Sequence, residues 1–278
     1  MNGRRVEAVA TAVANLGYDG IVAFDQTEPE YDTLETLFET FDDPILVELL
    51  VVSATTEDYQ LNGDAQLFWN ELERVALAHG SLDSKGDVQE ILDTFMTADV
   101  NARLNQTKRD RLERLFGNGF DDWFIANAET AKPVEVWEQL ADCLQNDKGM
   151  KTVVLSMKVY DIARLIRLGH YLDFPSDLPI PCDLQVKRIS RTSGITYSDE
   201  TDRVLDAWAA VMDEVSDRLG RPVSVLRVDS IVWQAGQIVG KHEPDRVAAR
   251  EALEGHFETV GIEPDSASEL ARELTTEM

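Results

Sequence analysis

The chain has 278 residues, 44% hydrophobic and 28% charged, which is the composition of a globular protein with one large or two modest domains. Its 52 acidic residues are twice its 26 basic ones and are spread along the chain, giving a formal net charge of −26. No apolar run approaches the roughly 18 residues that a membrane span needs, and the N-terminus leads into no signal-like apolar region, so we expect a soluble, cytoplasmic protein.

Diffuse acidity with few lysines is typical of proteins from a salt-adapted cytoplasm. At ordinary ionic strength such a surface repels itself and nucleic acid, whereas at molar salt the Debye length falls to about 3 Å and the repulsion is screened. The chain contains only eight lysines. We therefore expect a protein that works in a high-salt cytoplasm, with an ordinary acidic protein as the alternative.

The cysteines and histidines show no metal- or cofactor-binding pattern. Cys143 and Cys182 are too few for a disulfide framework or a four-thiolate cluster. The four histidines are scattered without metal-ligand spacing, at His79, His170, His242 and His256. We predict neither a bound metal nor a cofactor.

Helical spacing of apolar residues dominates the first 145 residues. It predicts helices over 5–17, 31–41, 43–61, 87–97, 99–116 and 133–145. Another helix follows Asp64, which can cap it, and carries Trp69 on its apolar face. The stretch 43–61 is almost entirely apolar on one side, which predicts a buried helix ending at Asn62-Gly63.

The rest of the chain is predicted to be helical around one proline-rich segment. Residues 151–171 begin with a stretch that by propensity favours a strand, but the apolar pattern continues without a turn, so a helix is predicted. The segment 174–181 (FPSDLPIP) cannot be helical and is predicted to cross between two lobes. Beyond it, helices are predicted over 183–195, 199–219, 224–238, 244–260 and 266–276. The predicted fold class is all-α.

Residues 148–191 reverse the charge of the chain, with eight basic residues against four acidic ones. Within this stretch Lys151 and Lys158 are seven residues apart, which on a helix is within about 20° of two full turns. Both therefore lie on one face, with Leu155 between them. The face is either solvent-exposed or lines a cleft, and in a cleft a desolvated lysine favours its neutral, nucleophilic form.

Acidic and aromatic residues follow the proline-rich segment. Asp183 can cap the helix that begins after Cys182 and can also point into the space between two lobes. Asp229 and Trp233 are four residues apart and share a helical face. Trp233 would be either a core residue or the wall of a pocket for an aromatic ligand.

Three sequence blocks resemble, in order and spacing, the signature blocks of the archaeal 8-oxoguanine DNA glycosylases. These form the AGOG branch of the helix-hairpin-helix glycosylase/lyase superfamily. The blocks are MKTVVLSMK (150–158), LPIPCD (178–183) and VDSIVW (228–233). YQLNG (59–63) with Trp69 behind it, and more weakly EPEY (28–31), resemble the same family. The resemblance covers about residues 5–240, and the acidic tail after 243 looks like an addition.

The resemblance implies a monomeric, two-lobe enzyme that excises 8-oxoguanine from damaged double-stranded, or single-stranded, DNA and then acts as an AP lyase. One lobe would span 42–170 and the other 1–41 plus 171–278. Lys151 is the implied nucleophile, which forms a Schiff base with the sugar, and Asp183 its catalytic partner. The implied base-binding residues are Glu30, Trp69, Leu155, Lys158, Asp229 and Trp233. The residues implied to contact the DNA backbone are Lys148, Gly149, Lys187, Arg188 and Arg191.

The sequence departs from the family pattern at several positions. Glu30 stands where glutamine is frequent, and Leu155 stands where an aromatic residue is common. The hairpin LQNDKGM (144–150) lacks the Pro-Gly-x-Gly turn of most superfamily members. AGOG proteins also lack this turn, so its absence fits the branch. One alternative is therefore a helix-hairpin-helix glycosylase for another damaged base. The other is a non-catalytic helical protein that binds DNA or a partner through the basic stretch.

Overall fold

The computed structural model describes all 278 residues. It contains fifteen α-helices, the short 3-10 helices Phe24–Thr27 and Asp99–Asn101, and no strand, which confirms the predicted all-α class. The α-helices in chain order are α1 (Gly3–Ala14), α2 (Gly17–Ala23), α3 (Tyr31–Thr40), α4 (Pro44–Thr55), α5 (Ala65–His79), α6 (Lys85–Phe95), α7 (Asn105–Gly117), α8 (Phe120–Asn127), α9 (Pro133–Leu144), α10 (Lys151–Leu168), α11 (Leu184–Thr192), α12 (Thr201–Leu219), α13 (Val225–His242), α14 (Arg246–Thr259) and α15 (Pro264–Leu274). None of these helices is both long and apolar enough to cross a membrane.

The helices form two compact units. One comprises Met1–Glu28 and Pro175–Met278, and the other comprises Pro29–Phe174. The boundaries predicted from the sequence lie after residues 41 and 170. Helix α3 lies in the second unit because it packs against α5 and α10.

Helix α4 is the centre of the Pro29–Phe174 unit. Asp43 caps its first turn by accepting hydrogen bonds from two backbone N–H groups. Every residue from Leu46 to Thr55 is buried, and α10 packs against the helix. Among them, Glu48 pairs with Nη1 of Arg164 at 3.3 Å and Nη1 of Arg167 at 3.2 Å. Because both arginines belong to α10, these buried ion pairs fix α10 against α4.

Two helix predictions differ from the structure in this unit, and one of its helices was not predicted. Helix α4 ends at Thr55 rather than at residue 61, because the Thr56 hydroxyl donates to the carbonyl oxygen of Ser53 at 2.7 Å and the chain turns into a loop over residues 56–64. The single helix predicted over 99–116 is wrong, because Leu104 adopts a φ of 54° and α7 starts only after it. Helix α8 was not predicted at all.

The other unit joins the two ends of the chain. Arg5 of α1 pairs with Glu273 of α15 at 2.7 Å and donates to the carbonyl oxygen of Ser193 at 2.7 Å. Leu253 and Phe257 of α14 are buried in the same core as α1, α12 and α13. The acidic segment after residue 243, expected to be an addition, is therefore an integral part of this unit.

Helices α11 and α13 approach closely because a glycine lies at their contact. A Cβ atom at Gly236 of α13 would lie 2.6 Å from the Cβ and 2.9 Å from the Cα of Gln185 on α11. Only glycine leaves room for such an approach. Gly236 therefore sets the position of α11, whose N-cap is Asp183.

Candidate active site

A tight turn connects α9 to α10. Gln145 ends α9 in the left-handed conformation, with a φ of 54°. Within the turn, Oδ1 of Asp147 accepts a hydrogen bond from the backbone N–H of Gly149 at 2.7 Å, and Nε1 of Trp137 donates to the carbonyl oxygen of Lys148 at 2.8 Å. No side chain caps α10. Its uncapped backbone N–H groups and the positive end of its dipole suit an anion such as a phosphate.

Lys151 is the first residue of α10. Its side chain is half-buried, and Nζ donates to the carbonyl oxygen of Asp58 at 3.3 Å. Leu155, one turn further along, is also half-buried, whereas Lys158 is only 1% exposed. The lysine face of α10 thus runs from an accessible amine to a buried one, so it is not a solvent-exposed face.

The loop that contacts Lys151 also carries a buried acid. Oε1 of Glu57 accepts a hydrogen bond from Oγ1 of Thr56 at 2.8 Å and lies 3.8 Å from Nε of Arg111. Burial raises the pKa of Glu57 to about 7, and the positive charge of Arg111 limits the rise. Nη2 of Arg111 in turn donates to Oγ1 of Thr152 at 2.6 Å. One polar network therefore connects α7, the loop and the first turn of α10.

A second buried cation lies beside this network. Lys108 is fully buried, donates from Nζ to Oδ1 of Asn101 at 3.1 Å, and lies 5.2 Å from the ring centroid of Tyr59. Burial lowers the pKa of Lys108, and the negative charge of Glu57 opposes that change. Lys108 and Arg111 thus place two basic groups around the loop that holds the Lys151 amine.

Two of the predicted base-binding residues are buried elsewhere in the same unit. Trp69 lies on the buried face of α5, with its ring edge-to-face against Phe68 at a centroid distance of 5.5 Å. Glu30 precedes α3 and is also buried. The Pro29–Phe174 unit thus contains Lys151, Leu155 and Lys158 as well as this tryptophan and carboxyl group.

In the other unit, Asp183 is the N-cap of α11, as its position after the proline segment predicts. Its Oδ1 accepts hydrogen bonds from the backbone N–H groups of Gln185 at 2.8 Å and Val186 at 3.0 Å. Both cap hydrogen bonds use the same oxygen, and the side chain is half-buried. The cap orients the carboxylate while leaving Oδ2 available for other contacts.

Helix α13 carries Asp229, which is buried, and Trp233, which is half-buried, on one face. The next residue, Gln234, anchors this helix: its Nε2 donates to the carbonyl oxygen of Phe24 at 3.0 Å and to Oε1 of Glu28 at 2.8 Å.

Two more residues of α13 contact the same segment: buried Arg227 and Ser230 both hydrogen-bond to buried Asp25, at 2.7 Å and 2.5 Å. These contacts fix α13 to the segment 24–28.

The predicted DNA-backbone residues have different surroundings. The ammonium group of Lys148 lies 4.4 Å from the ring centroid of Trp137, and Gly149 lies in the turn before α10.

Arg188 and Arg191 both pair with Glu243, at 3.3 Å and 3.1 Å. Arg188 also donates to the carbonyl oxygen of Gly236 at 3.2 Å, so it is engaged in holding α11 to α13. Lys187 is half-buried on α11.

No site residue was predicted in α7 or in the loop over residues 56–64, although the YQLNG block (59–63) of that loop resembles the family. The signal was present, since residues 103–114 contain five basic residues against two acidic ones in a strongly acidic chain. Those basic residues are Arg103, Lys108, Arg109, Arg111 and Arg114. No group of three or more histidine, cysteine, aspartate or glutamate side chains lies where it could hold a metal ion.

The fold is similar to that of a solved DNA glycosylase. The structure of 8-oxoguanine DNA glycosylase from Pyrobaculum aerophilum, complexed with 8-oxoguanosine, matches with a TM-score of 0.69 over 98% of this chain and 97% of that chain, at 16% identity. The all-helical arrangement of this chain is thus the same fold as that of the solved enzyme.

The family is shown by the sequence match. The AGOG family, described as N-glycosylase/DNA lyase, matches residues 10–273, so the chain belongs to this family. Curated relatives named N-glycosylase/DNA lyase include one from Thermococcus kodakarensis, 24% identical and aligned over 87% of both chains. Another, from Methanopyrus kandleri, is 28% identical over 73% of this chain and 78% of its own. The chain is accordingly an enzyme that acts on damaged double-stranded DNA. Because the match extends to residue 273, α14 and most of α15 belong to the family fold.

Proposed function

We propose that the enzyme excises 8-oxoguanine and then cleaves the DNA strand, with Lys151 as the nucleophile. The observation that carries the proposal is the Lys151 amine, accessible at the uncapped start of α10 and held 3.3 Å from the carbonyl oxygen of Asp58. The substrate is supported by the fold-similar Pyrobaculum enzyme, whose structure contains 8-oxoguanosine. The family match supports both the glycosylase and the lyase step.

The reaction begins when the damaged nucleotide leaves the base stack, at a cost of a few kcal/mol. The lone pair of neutral Lys151 attacks C1′ of the sugar, and the base departs with the electron pair of its glycosidic bond and takes up a proton. One proton of the amine then passes to the ring oxygen O4′ as the C1′–O4′ bond breaks, and the nitrogen lone pair forms the protonated Schiff base at C1′. Loss of a proton from C2′ expels the 3′ phosphate, so the strand breaks by β-elimination.

Asp183 supports this chemistry through its second carboxylate oxygen. With Oδ1 used by the backbone of α11, Oδ2 can stabilise the positive charge that develops on the sugar or accept a proton from the lysine. A fixed carboxylate provides this stabilisation without reorganising during the reaction. The cap of α11 and the chemical role therefore use different atoms of one side chain.

Recognition of the base is assigned to buried polar groups and indole rings. Lys158 and Asp229 offer a donor and an acceptor for the base edge, and Asp229 suits the hydrogen that 8-oxoguanine carries on N7 and guanine lacks. Trp69 and Trp233 offer faces for stacking, which recovers part of the cost of flipping. Glu30 and Leu155 complete the proposed set, with Leu155 contributing apolar contact only.

Contacts to the DNA backbone are assigned to the turn before α10. Lys148, Gly149 and the uncapped N–H groups of α10 provide charge and donors for a phosphate. Lys187 adds charge from α11. Since Arg188 and Arg191 are paired with Glu243, a phosphate must compete with that carboxylate to contact them.

The proposed setting is a salt-rich cytoplasm, in which the enzyme works as a monomer. The net charge of −26 supports it, because screening by salt weakens the repulsion between such a surface and DNA. Activity that persists above 1 M KCl would support this setting, and activity lost above a few hundred millimolar would exclude it.

Borohydride reduction of the Schiff base tests the assignment. We expect a covalent adduct between the natural chain and a duplex containing 8-oxoguanine, none with Lys151→Gln, and a normal one with Lys241→Gln, which alters an exposed lysine. An adduct that survives Lys151→Gln would remove Lys151 as nucleophile. If more adduct formed on a duplex with another damaged base, that base rather than 8-oxoguanine would be the substrate.

A further inference from the structure

The amine of Lys151 has little to hold it within α10 itself. It is the first residue of the helix, where the backbone frays most readily, and no side chain caps the helix. A lysine side chain also has a flexible four-carbon stem, whose rotamer freedom is lost when the amine is held in one direction. Its contact with the carbonyl oxygen of Asp58, at 3.3 Å, is long for a hydrogen bond. The orientation of the amine must therefore depend on what fixes the loop and the first turn of α10.

Arg111 contacts both of these segments. Its Nη2 donates to the hydroxyl of Thr152 at 2.6 Å, which ties the second residue of α10 to α7. Its guanidinium also lies 5.7 Å from the ring centroid of Tyr59 and 3.8 Å from Glu57, both in the loop that presents Asp58. Arg111 thus touches a neighbour of Lys151 and two residues of the loop that contains Asp58.

The network keeps unfavourable features that ordinary packing would remove. Nε of Arg111 and Oε2 of Glu57 are buried without a hydrogen-bond partner. Gln60, in the same loop, holds a φ of 48° without being glycine. Buried unsatisfied groups and left-handed residues each cost free energy, and they persist where the surrounding structure imposes a functional geometry.

We propose that Arg111, acting through Thr152 and the loop residue Glu57, is a positioning residue that aims the Lys151 amine at C1′. The proposal rests on the proposed function, because it takes Lys151 as the nucleophile. Arg111 does not touch the DNA in this role. It holds the first turn of α10 and the Asp58 carbonyl at a fixed separation, so that the amine is presented in one direction. Misplacing a reacting group by about 1 Å can cost on the order of 100-fold in rate.

Substitutions at Thr152 test this with little risk to folding. Thr152→Val removes the hydroxyl that Arg111 reaches and keeps the volume, whereas Thr152→Ser keeps the hydroxyl. Arg111→Lys keeps the charge but loses the planar guanidinium, which contacts Thr152 on one side and the loop on the other. Arg109→Lys is the matched control, since Arg109 is on the same helix and hydrogen-bonds only to Asn105.

Three readouts should be compared: the single-turnover rate of borohydride-trapped adduct, the affinity for a duplex whose 8-oxoguanine nucleotide resists cleavage through a 2′-fluoro group, and the melting temperature. We expect Thr152→Val and Arg111→Lys to slow adduct formation at least about 10-fold with affinity changed less than twofold. Thr152→Ser and Arg109→Lys should remain within about threefold of the natural chain.

Two results would overturn the positioning role. One is an unchanged rate in both Thr152→Val and Arg111→Lys. The other is a rate that falls only in proportion to melting temperature and DNA affinity, which would make the network purely structural. Failure of the proposed function is distinguishable, because it would appear as an adduct that persists in Lys151→Gln.

Discussion

Nε2 of His256 on α14 donates a hydrogen bond to Oε1 of Gln234 on α13 at 2.8 Å. The same oxygen accepts from Oγ1 of Thr27 at 3.1 Å. Burial lowers the pKa of His256, so the ring is neutral and one nitrogen carries the hydrogen that it donates. The helix bearing Asp229 and Trp233 is thus held by the segment after residue 243 that sequence reasoning set aside.

Replacing His256 with glutamine should make the enzyme less sensitive to acid. In the unfolded chain the histidine binds a proton near pH 6.5, whereas in the folded protein it does so only at lower pH. Acid therefore favours the unfolded state, and the contribution of neutral His256 is present above pH 6.5 and lost as the pH falls through the folded pKa. Glutamine keeps a donor and does not titrate.

Denaturant unfolding at pH 5 and 7.5 measures this effect. At pH 7.5, His256→Gln should lie within about 1 kcal/mol of the natural chain, the value of one hydrogen bond. At pH 5 the variant should lose less free energy of unfolding than the natural chain does. His170→Gln, at an exposed position, is the control. Equal losses in all three proteins would contradict the role of His256.

A methyl group at Gly236 should separate α11 from α13. The added Cβ would lie 2.6 Å from the Cβ of Gln185, and overpacking of this kind costs about 1–3 kcal/mol. Because Asp183 is the N-cap of α11, its carboxylate must move as well. We expect Gly236→Ala to lower both the free energy of unfolding and the rate of adduct formation, the latter at least about 10-fold.

Gly255 offers a matched control on α14. A Cβ there meets no atom within 4 Å. Since alanine favours a helix over glycine by about 1 kcal/mol, Gly255→Ala should stabilise the protein and leave activity unchanged. If Gly236→Ala and Gly255→Ala had similar free energies of unfolding, α11 and α13 would have room for a methyl group between them.

Local patterns account for what could be predicted from the sequence. The lysine spacing in α10 and the cap at Asp183 depend on residues within two turns of each other, and the apolar period of 3.6 residues predicts most of the helices. Contacts between distant residues leave no such trace. Glu57 and Arg111 are separated by 53 intervening residues, and Arg188 and Glu243 by 54. Their charges suggest partners but do not identify them.

The end of α4 was missed for a different physical reason. Glycine, proline and asparagine mark helix ends in a sequence, and the nearest such residue after α4 is Asn62. The helix instead stops because the Thr56 hydroxyl bonds back to Ser53 and the following acid is buried against α7. A local hydrogen bond and a tertiary contact therefore end the helix together, and the loop that follows is the one that reaches Lys151.

Glu57→Gln should change how stability depends on pH in the opposite sense to His256→Gln. The pKa of Glu57 rises from 4.5 to about 7 on folding, so the folded protein holds a proton that the unfolded chain releases. Stability from this group is full below pH 4.5 and is lost as the pH rises through about 7, by about 3 kcal/mol in total. Glutamine mimics the protonated acid and lacks this loss.

The comparison is again made by denaturant unfolding, at pH 5 and 8. The free energy of unfolding of Glu57→Gln, relative to the natural chain, should rise between these values. Glu113→Gln, exposed on α7, should track the natural chain. A constant difference between Glu57→Gln and the natural chain across the range would show that Glu57 does not titrate there.

Asp183→Asn separates the capping role of this residue from its proposed chemical role. Asparagine caps a helix as well as aspartate does, so α11 should remain in place and the free energy of unfolding should change by less than about 1 kcal/mol. The charge that we propose stabilises the sugar is lost, however, and removing one such electrostatic group costs about 100- to 1000-fold in rate. Asp183→Ala should lose the same activity and, in addition, about 1 kcal/mol for the cap.

Asp245→Asn is the control, since Asp245 caps α14 through an equivalent pair of hydrogen bonds, both 3.1 Å long. Adduct formation at full rate in Asp183→Asn would restrict Asp183 to capping and leave the developing charge to another group.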